Sequence, residues 1–214
     1  MQHTTYVLDL AGGFGEVWQG RFKGRARTAV RKAEKARVEV EVDRTGRLVP
    51  AFYAIYEQSI VRWAQQQHEP LALARWRRRR IDPLRKFQVV AEHFTDSCAV
   101  WLASYRGQLA AALMVLRQGP HVKYWRGGMV KELAGPSCAS TLLHKLVIED
   151  ACENGGLFYH MGDSTPGSSV SAFKESFGAR DHTSFGYRRE LLPVTVVDQR
   201  LRSAVKHLIG FKDE

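Results

Sequence analysis

Cys98, Cys138 and Cys152 are the only three cysteines in 214 residues. An odd number so widely spaced is neither a disulfide framework nor a set of zinc ligands, and it suits a reducing compartment. No metal site is apparent. No apolar run approaches the roughly 18 residues that a bilayer-spanning helix needs. The N-terminus, Met1-Gln2-His3-Thr4-Thr5, has neither the basic nor the apolar part of a secretory signal. A cytoplasmic protein with no membrane and no metal among its partners is therefore expected. Internal repeats and low-complexity segments are absent too. Acidic residues are scarce against basic ones, 22 to 32.

The apolar fraction of 44% and charged fraction of 25% are those of an ordinary globular domain, large enough to bury a substantial core. The positive excess is concentrated in two places. Residues 21–37 carry eight Lys/Arg against Glu34 alone, and residues 75–86 carry seven against Asp82 alone. These stretches hold the whole surplus and leave the rest of the chain slightly acidic. Two such patches point to a polyanionic partner.

Spacing gives the elements. Tyr6–Leu10 reads as a strand followed by glycine-rich Gly12–Gly15. Residues 21–37 read as a two-faced helix, with Phe22, Ala26, Ala29, Ala33 and Ala36 as a thin apolar stripe and Lys23, Arg27, Arg31 and Lys35 as a cationic one. Val38–Val42 alternates as a half-buried strand. A helix over 50–66 turns Phe52, Ile55, Tyr56, Ile60 and Trp63 inward. Helical stretches at 71–80 and 83–94 follow. Three strands, 99–105, 108–116 and 121–129, are joined by connectors short enough for an antiparallel meander. Ser137 is placed to cap a helix striped by Ala139, Leu142, Leu143, Leu146, Val147 and Ala151. A strand over 157–161, a Gly162-Asp163-Ser164 turn, a helix stopped by Gly178 and a strand near 183–191 complete an α+β pattern. Residues 193–214 read as a terminal helix or tail, after an N-terminal segment 1–37 and a main domain 38–192.

Phe173-Lys174-Glu175-Ser176-Phe177-Gly178, following Phe158-Tyr159-His160-Met161-Gly162-Asp163-Ser164 at close range, resembles the end of the acyl-transferring domain of FemABX-type peptidyltransferases, a branch of the GNAT acyltransferase superfamily. Phe173 and Phe177 share a helical face, and Lys174 is rotated about 100° away from it. Arg27–Lys35 and Gly107–Ala112 resemble further pieces of that family, so the likeness spans roughly residues 20–190. It implies a GNAT-like fold: a mixed, mainly antiparallel sheet flanked by helices, here with a basic N-terminal helix. It implies aminoacyl-tRNA as donor, an amine as acceptor and no cofactor, with Lys174 where the aminoacyl ester meets the amine. Family members that build cell-wall bridges carry two such domains and this chain has room for one. A small peptide or antibiotic precursor is the acceptor expected.

The residues give each partner a candidate site. Arg27, Arg31 and Lys35, with Arg75, Arg77, Arg78, Arg79 and Arg80, would hold tRNA phosphates. Trp76 would either stack on an unpaired base or anchor its helix in the core. Asp163 or His160 would serve as base, although either residue type is often structural in such positions. Gly127-Gly128, if bulged, would turn amides toward the reacting carbonyl; a plain strand end is the alternative. Tyr124, Trp125 and Phe173 would line the acceptor pocket, with one of Tyr124 and Trp125 pointing into the core. His144 reads as a packed residue. Acyl-CoA enzymes of the superfamily carry a phosphate-cradling loop before the central helix; the loop expected here, Glu132–Ser137, has a carboxylate and a proline in it, which disfavours CoA. An acyl-CoA-dependent N-acetyltransferase and a non-catalytic nucleic-acid-binding module remain the alternatives.

Overall fold

The computed structural model describes residues 2–185. Seven strands form one sheet in the order β2-β3-β4-β5-β6-β1-β7. They are β1 (Gln2–Asp9), β2 (Glu39–Asp43), β3 (Cys98–Tyr105), β4 (Gln108–Gln118), β5 (His121–Met129), β6 (Phe158–Asp163) and β7 (Arg180–Phe185). Every pairing is antiparallel except β5 with β6. The meander over β3, β4 and β5 forms as expected. β1 lies between β6 and β7, so the N-terminal segment contributes an interior strand.

Alternation along β3 divides the core into two layers. Trp101 and Ala103 join Leu113, Tyr159 and Met161 on one face, beneath α1 (Gly13–Glu16, continuing as a π-helical turn Val17–Arg21), α2 (Gly24–Lys35), α7 (Ala139–Glu153) and α8 (Ser169–Ser176). Val100 and Leu102 join Ala112 and Met114 on the other, beneath α3 (Val49–Gln66), α4 (Leu71–Ile81) and α5 (Leu84–Phe94). The two basic stretches therefore sit on opposite faces of the sheet, α2 on the first and α4 on the second.

Several local expectations are corrected. On α2 the buried stripe is Ala26, Val30 and Ala33; Val30 takes the place expected for Ala29, because a branched side chain fills the space against Leu142 that alanine would leave. β2 is an edge strand whose Val42 stays 45% exposed. Ser137 does not cap α7. It ends a short helix, α6 (Lys131–Ser137), formed where a loop was expected, and its hydroxyl donates back to the Leu133 carbonyl at 2.6 Å. Cys138, in a left-handed conformation, joins α6 to α7. The last strand begins at Arg180; residues 186–191 of that expectation and the expected terminal helix lie outside the described residues.

α8 is built as its sequence suggested. Ser168 accepts the Ser171 amide at 3.1 Å as N-cap, and Gly178 stops the helix with φ +87°. A Cβ on Gly178 would sit 2.5 Å from the Arg21 carbonyl, so this glycine also lets α8 close against the π-helical turn. Phe22 meets Phe177 edge-on at 5.1 Å in the same contact.

Candidate active site at the parting of two strands

β5 and β6 run together only over His121↔Phe158, Val122↔Tyr159 and Lys123↔His160. Beyond that, β5 continues to Met129 while β6 stays with β1, and the sheet opens between them. Gly162 has φ +74° at a register shift between Thr5 and Val7 of the β1–β6 ladder, a bulge of the kind that places glycine in the left-handed region. In a regular strand successive carbonyls point to opposite sides. The bulge turns two of them the same way: the Lys174 ammonium donates to the Gly162 and Asp163 carbonyls, both at 2.8 Å. Lys174 is only 4% exposed. It also lies over the Tyr6 ring, 5.4 Å from the centroid. Burial pulls its pKa down to about 8, and the nearby Asp163 carboxylate opposes that fall. Asp163, the last residue of β6, accepts a short hydrogen bond from the Thr5 hydroxyl.

An aromatic box adjoins the lysine. His144 of α7 is buried, with Tyr124, Phe173, Phe177 and Tyr159 around its ring at centroid distances of 5.1, 5.5, 5.6 and 6.0 Å. Its Nδ1 pairs with the Tyr159 hydroxyl at 2.8 Å. Burial, aided by the Lys174 charge, holds its pKa at about 3, so the ring is neutral. Burial pushes the Tyr124 phenol up to about 12. A neutral, largely dry cavity wall beside a single ammonium strengthens the field that this ammonium exerts on developing negative charge.

Gly127 and Gly128 keep regular register with Leu113 and Ala112, and the irregularity of β5 falls earlier, opposite Met114/Val115, where Trp125 is the extra residue. The bulge expected at the glycines is thus displaced. Close packing accounts for them instead: a Cβ on Gly127 would lie 2.6 Å from the Tyr124 hydroxyl, and one on Gly128 would lie 2.8 Å from the Ile55 carbonyl and Ser59 Oγ of α3. Ser59 and Arg62 hold the end of the strand, Arg62 donating to the Met129 carbonyl at 2.7 Å and Ser59 Oγ accepting its amide at 2.9 Å.

The opening thus gathers Lys174, Asp163, Phe173, Tyr124 and Gly127. Trp125 does not join them. It packs into the second core layer 5.2 Å from Phe87, over a buried network in which Asp82 binds Arg126, Lys86 and Tyr56. His160 points to the opposite face of the sheet from Lys174, with its Nε2 3.0 Å from Nδ1 of His121. Burial lowers its pKa, with help from His121, Lys123 and His182. Tyr6 and Tyr159 were read only as strand residues and His144 only as packed, yet all three complete the lysine's surroundings; the glycine before Asp163 was the signal that could have found the bulge.

The basic side chains fare unequally. On α2, Arg27 caps the π-helical turn through the Trp18 and Gln19 carbonyls, while Arg31 and Lys35 are exposed beside an open groove of about 480 Å³ lined by Trp18, Arg27, Thr28 and Arg31. α2 is tied to α8, the Lys23 amide donating to the Ser176 carbonyl at 2.8 Å. On α4, Arg77 pairs with buried Glu69 at 2.7 Å, Arg79 with Glu57 at 3.0 Å, and Arg78 covers the Trp63 ring. Trp76 is 59% exposed, which removes it from the core.

A parted β5–β6 pair with a central helix between the two strands is the arrangement of the GNAT acyltransferase fold. The chain belongs to the acetyltransferase (GNAT) domain family, whose sequence model matches residues 20–175. Among solved structures it is similar to FemX, with 13% identity, a TM-score of 0.61, and 83% of this chain aligned on 59% of that one. It is also similar to L-PGS from Bacillus licheniformis, at 13% identity and TM-score 0.56, with 99% and 67% of the two chains covered. A third likeness is to the C-terminal domain of a putative lysylphosphatidylglycerol synthetase from Agrobacterium fabrum, at 13% identity and TM-score 0.55, with 85% and 58% covered. At these identities the likeness is one of fold, the FemABX-like form of GNAT. The chain spans less than two thirds of FemX and of the Agrobacterium protein. No curated protein sequence matches it. Among the described residues no helix is long and apolar enough to cross a membrane.

Proposed function

We propose that this acyltransferase moves an aminoacyl group from aminoacyl-tRNA to the amine of a small peptide-like acceptor. The acceptor amine attacks the ester carbonyl, a C–N bond forms, and the C–O bond to the ribose breaks. One N–H proton of the amine ends on the departing ribose oxygen, and an acceptor that starts as an ammonium gives its additional proton to solvent. An ester needs no further activation, so the protein has to position the two reactants and stabilise the oxyanion. Lys174 supplies the charge for that oxyanion. The Gly162 and Asp163 carbonyls fix its ammonium, and Asp163 keeps it protonated near neutral pH. Phe173 and Tyr124 line the acceptor side.

The observation that carries this reading is the buried Lys174 ammonium held on two successive carbonyls at the strand opening. Two others support the choice of donor. The exposed cations of α2 lie on the same face of the sheet as α8 and are joined to it, so RNA phosphates held there lie beside the opening. Where acyl-CoA enzymes of the superfamily carry a phosphate-cradling loop, this chain has α6, with Glu132 in its first turn and Pro136 within it. A carboxylate there repels a pyrophosphate.

The test is incubation with tRNA charged with labelled amino acids, with and without trialanine as amine. Trialanine-dependent movement of label from tRNA to peptide supports the reading. Stable tRNA ester alongside consumption of acetyl-CoA would overturn it.

A further inference from the structure

The outer face of α4 carries a different chemistry from that of α2. Among large apolar side chains of the described residues, α2 exposes none, whereas α4 exposes Leu73, Trp76 and Ile81, at 37, 59 and 52%. A single alanine, Ala74, is the only fully buried residue of α4; Leu71 packs partly against the same core layer, and Leu73, Trp76 and Ile81 stay exposed. At 100° per residue, Leu73, Trp76 and Arg80 fall on one outward face, with Arg75 and Arg79 toward one flank, while Ile81 lies on the Ala74 side and is exposed as the last residue of the helix. The arginine run is less available than its composition implies. Arg77 is tied to Glu69, Arg79 to Glu57 and Arg78 to the Trp63 ring. Among the described residues Arg75 makes no ion pair or hydrogen bond, and Arg80 lies over the Trp76 indole, 5.6 Å from its centroid.

RNA phosphates call for cations, and an unpaired base calls for one aromatic ring; neither has any use for an exposed leucine and isoleucine. A helix that exposes leucine and tryptophan on one face and isoleucine at its end, beside unpaired arginines, matches the boundary between lipid headgroups and acyl chains, where apolar residues insert and cations meet anionic headgroups. Tryptophan with a guanidinium stacked on it is amphipathic in the way that this boundary favours. Such attachment is peripheral and needs no spanning helix.

We propose that the Leu73–Trp76 face of α4, with Arg75 and Arg80 and with Ile81 exposed at the helix end, is an attachment surface for an anionic lipid bilayer. It lies on the opposite side of the sheet from the Lys174 opening, so attachment leaves the opening and the α2 cations accessible. The proposal does not depend on the identity of the acyl donor.

Flotation of the full chain with vesicles of phosphatidylcholine containing about 40% phosphatidylglycerol, against vesicles of phosphatidylcholine alone, tests it. Binding to the anionic vesicles alone is expected. Leu73→Ser/Trp76→Ser/Ile81→Ser, whose sites are exposed, should keep the wild-type thermal midpoint and weaken partitioning by about tenfold or more. Arg75→Glu/Arg80→Glu should weaken it at low salt. No flotation of the wild-type chain, or flotation unchanged in the serine variant, would overturn the proposal. So would a loss of tRNA affinity in the serine variant with no vesicle binding by the wild-type chain, since that would return the face to RNA.

Discussion

Replacing Lys174 by alanine separates catalysis from binding. In the proposed reaction its ammonium meets charge that exists only in the transition state, and the loss of one such donor lowers kcat by about 10²–10³-fold, or about 3–4 kcal/mol. The donor's RNA is held by many contacts elsewhere, so its dissociation constant should move by less than about threefold. The pH profile adds a second readout. The folded lysine has a pKa of about 8 against 10.5 for the free side chain, and catalysis requires the protonated form. Wild-type kcat should therefore fall above pH 8 by up to about tenfold per unit, and the alanine variant should lack this limb. Stability moves in the other direction. Between pH 8 and 10.5 the unfolded chain binds the proton and the folded chain does not. Wild-type stability relative to Lys174→Met should therefore rise with pH across this window, by at most about 1.4 kcal/mol per unit. Single-turnover transfer rates with pre-bound charged tRNA, measured from pH 6 to pH 10, provide the assay. A wild-type rate in Lys174→Ala, or an alkaline limb that survives the substitution, would refute the assignment.

Three structural substitutions bear on the frame around the site. Asp82 is fully buried and neutralises Arg126 and Lys86, which with Tyr56 hold its pKa below 3.8 against the opposing effect of burial. Asp82→Ala should cost about 3–5 kcal/mol in urea unfolding by leaving cations without their partner; in the wild type this contribution should persist above pH 3.8 and fade as pH falls through the lower folded value. Tyr159→Phe strips His144 of its hydroxyl partner and should cost about 1–3 kcal/mol; because His144 is already neutral, the variant should show no new ionisation between pH 5 and 7 in its rate profile. Gly178→Ala forces a side chain into a left-handed position and against the Arg21 carbonyl, and should lower stability by more than about 1 kcal/mol in thermal unfolding.

Much of the frame was legible because it rests on periodicity. Strict alternation gave β2, short connectors gave the meander, and the Phe173/Phe177 spacing with Gly178 gave α8. The side-chain environment of Lys174 was not legible. It depends on a bulge at Gly162, and a glycine between strand and turn does not reveal from sequence which way its carbonyl points. The same limit explains Gly127-Gly128, where Gly128 reflects how closely α3 approaches β5, a contact between segments more than 60 residues apart in sequence, and Gly127 makes room for the Tyr124 side chain of its own strand. Charge counting found both basic stretches but could not see Glu57 and Trp63 of α3 and Glu69 just after it, which engage three arginines of α4. Nor could it tell that the two stretches lie on opposite faces. That follows from packing, with α2 on α7 over one core layer and α4 on α3 over the other.

The most direct measurement is the thermal midpoint of the full chain at low salt during separate titrations with charged tRNA, uncharged tRNA and acetyl-CoA. A ligand that binds only the folded state raises the midpoint with its occupancy. Stabilisation by tRNA that is strongest for the charged form, fades with salt and weakens in Arg31→Glu/Lys35→Glu is expected, with no response to acetyl-CoA. Stabilisation by acetyl-CoA alone would contradict the proposed donor and assign the α2 cations to another partner.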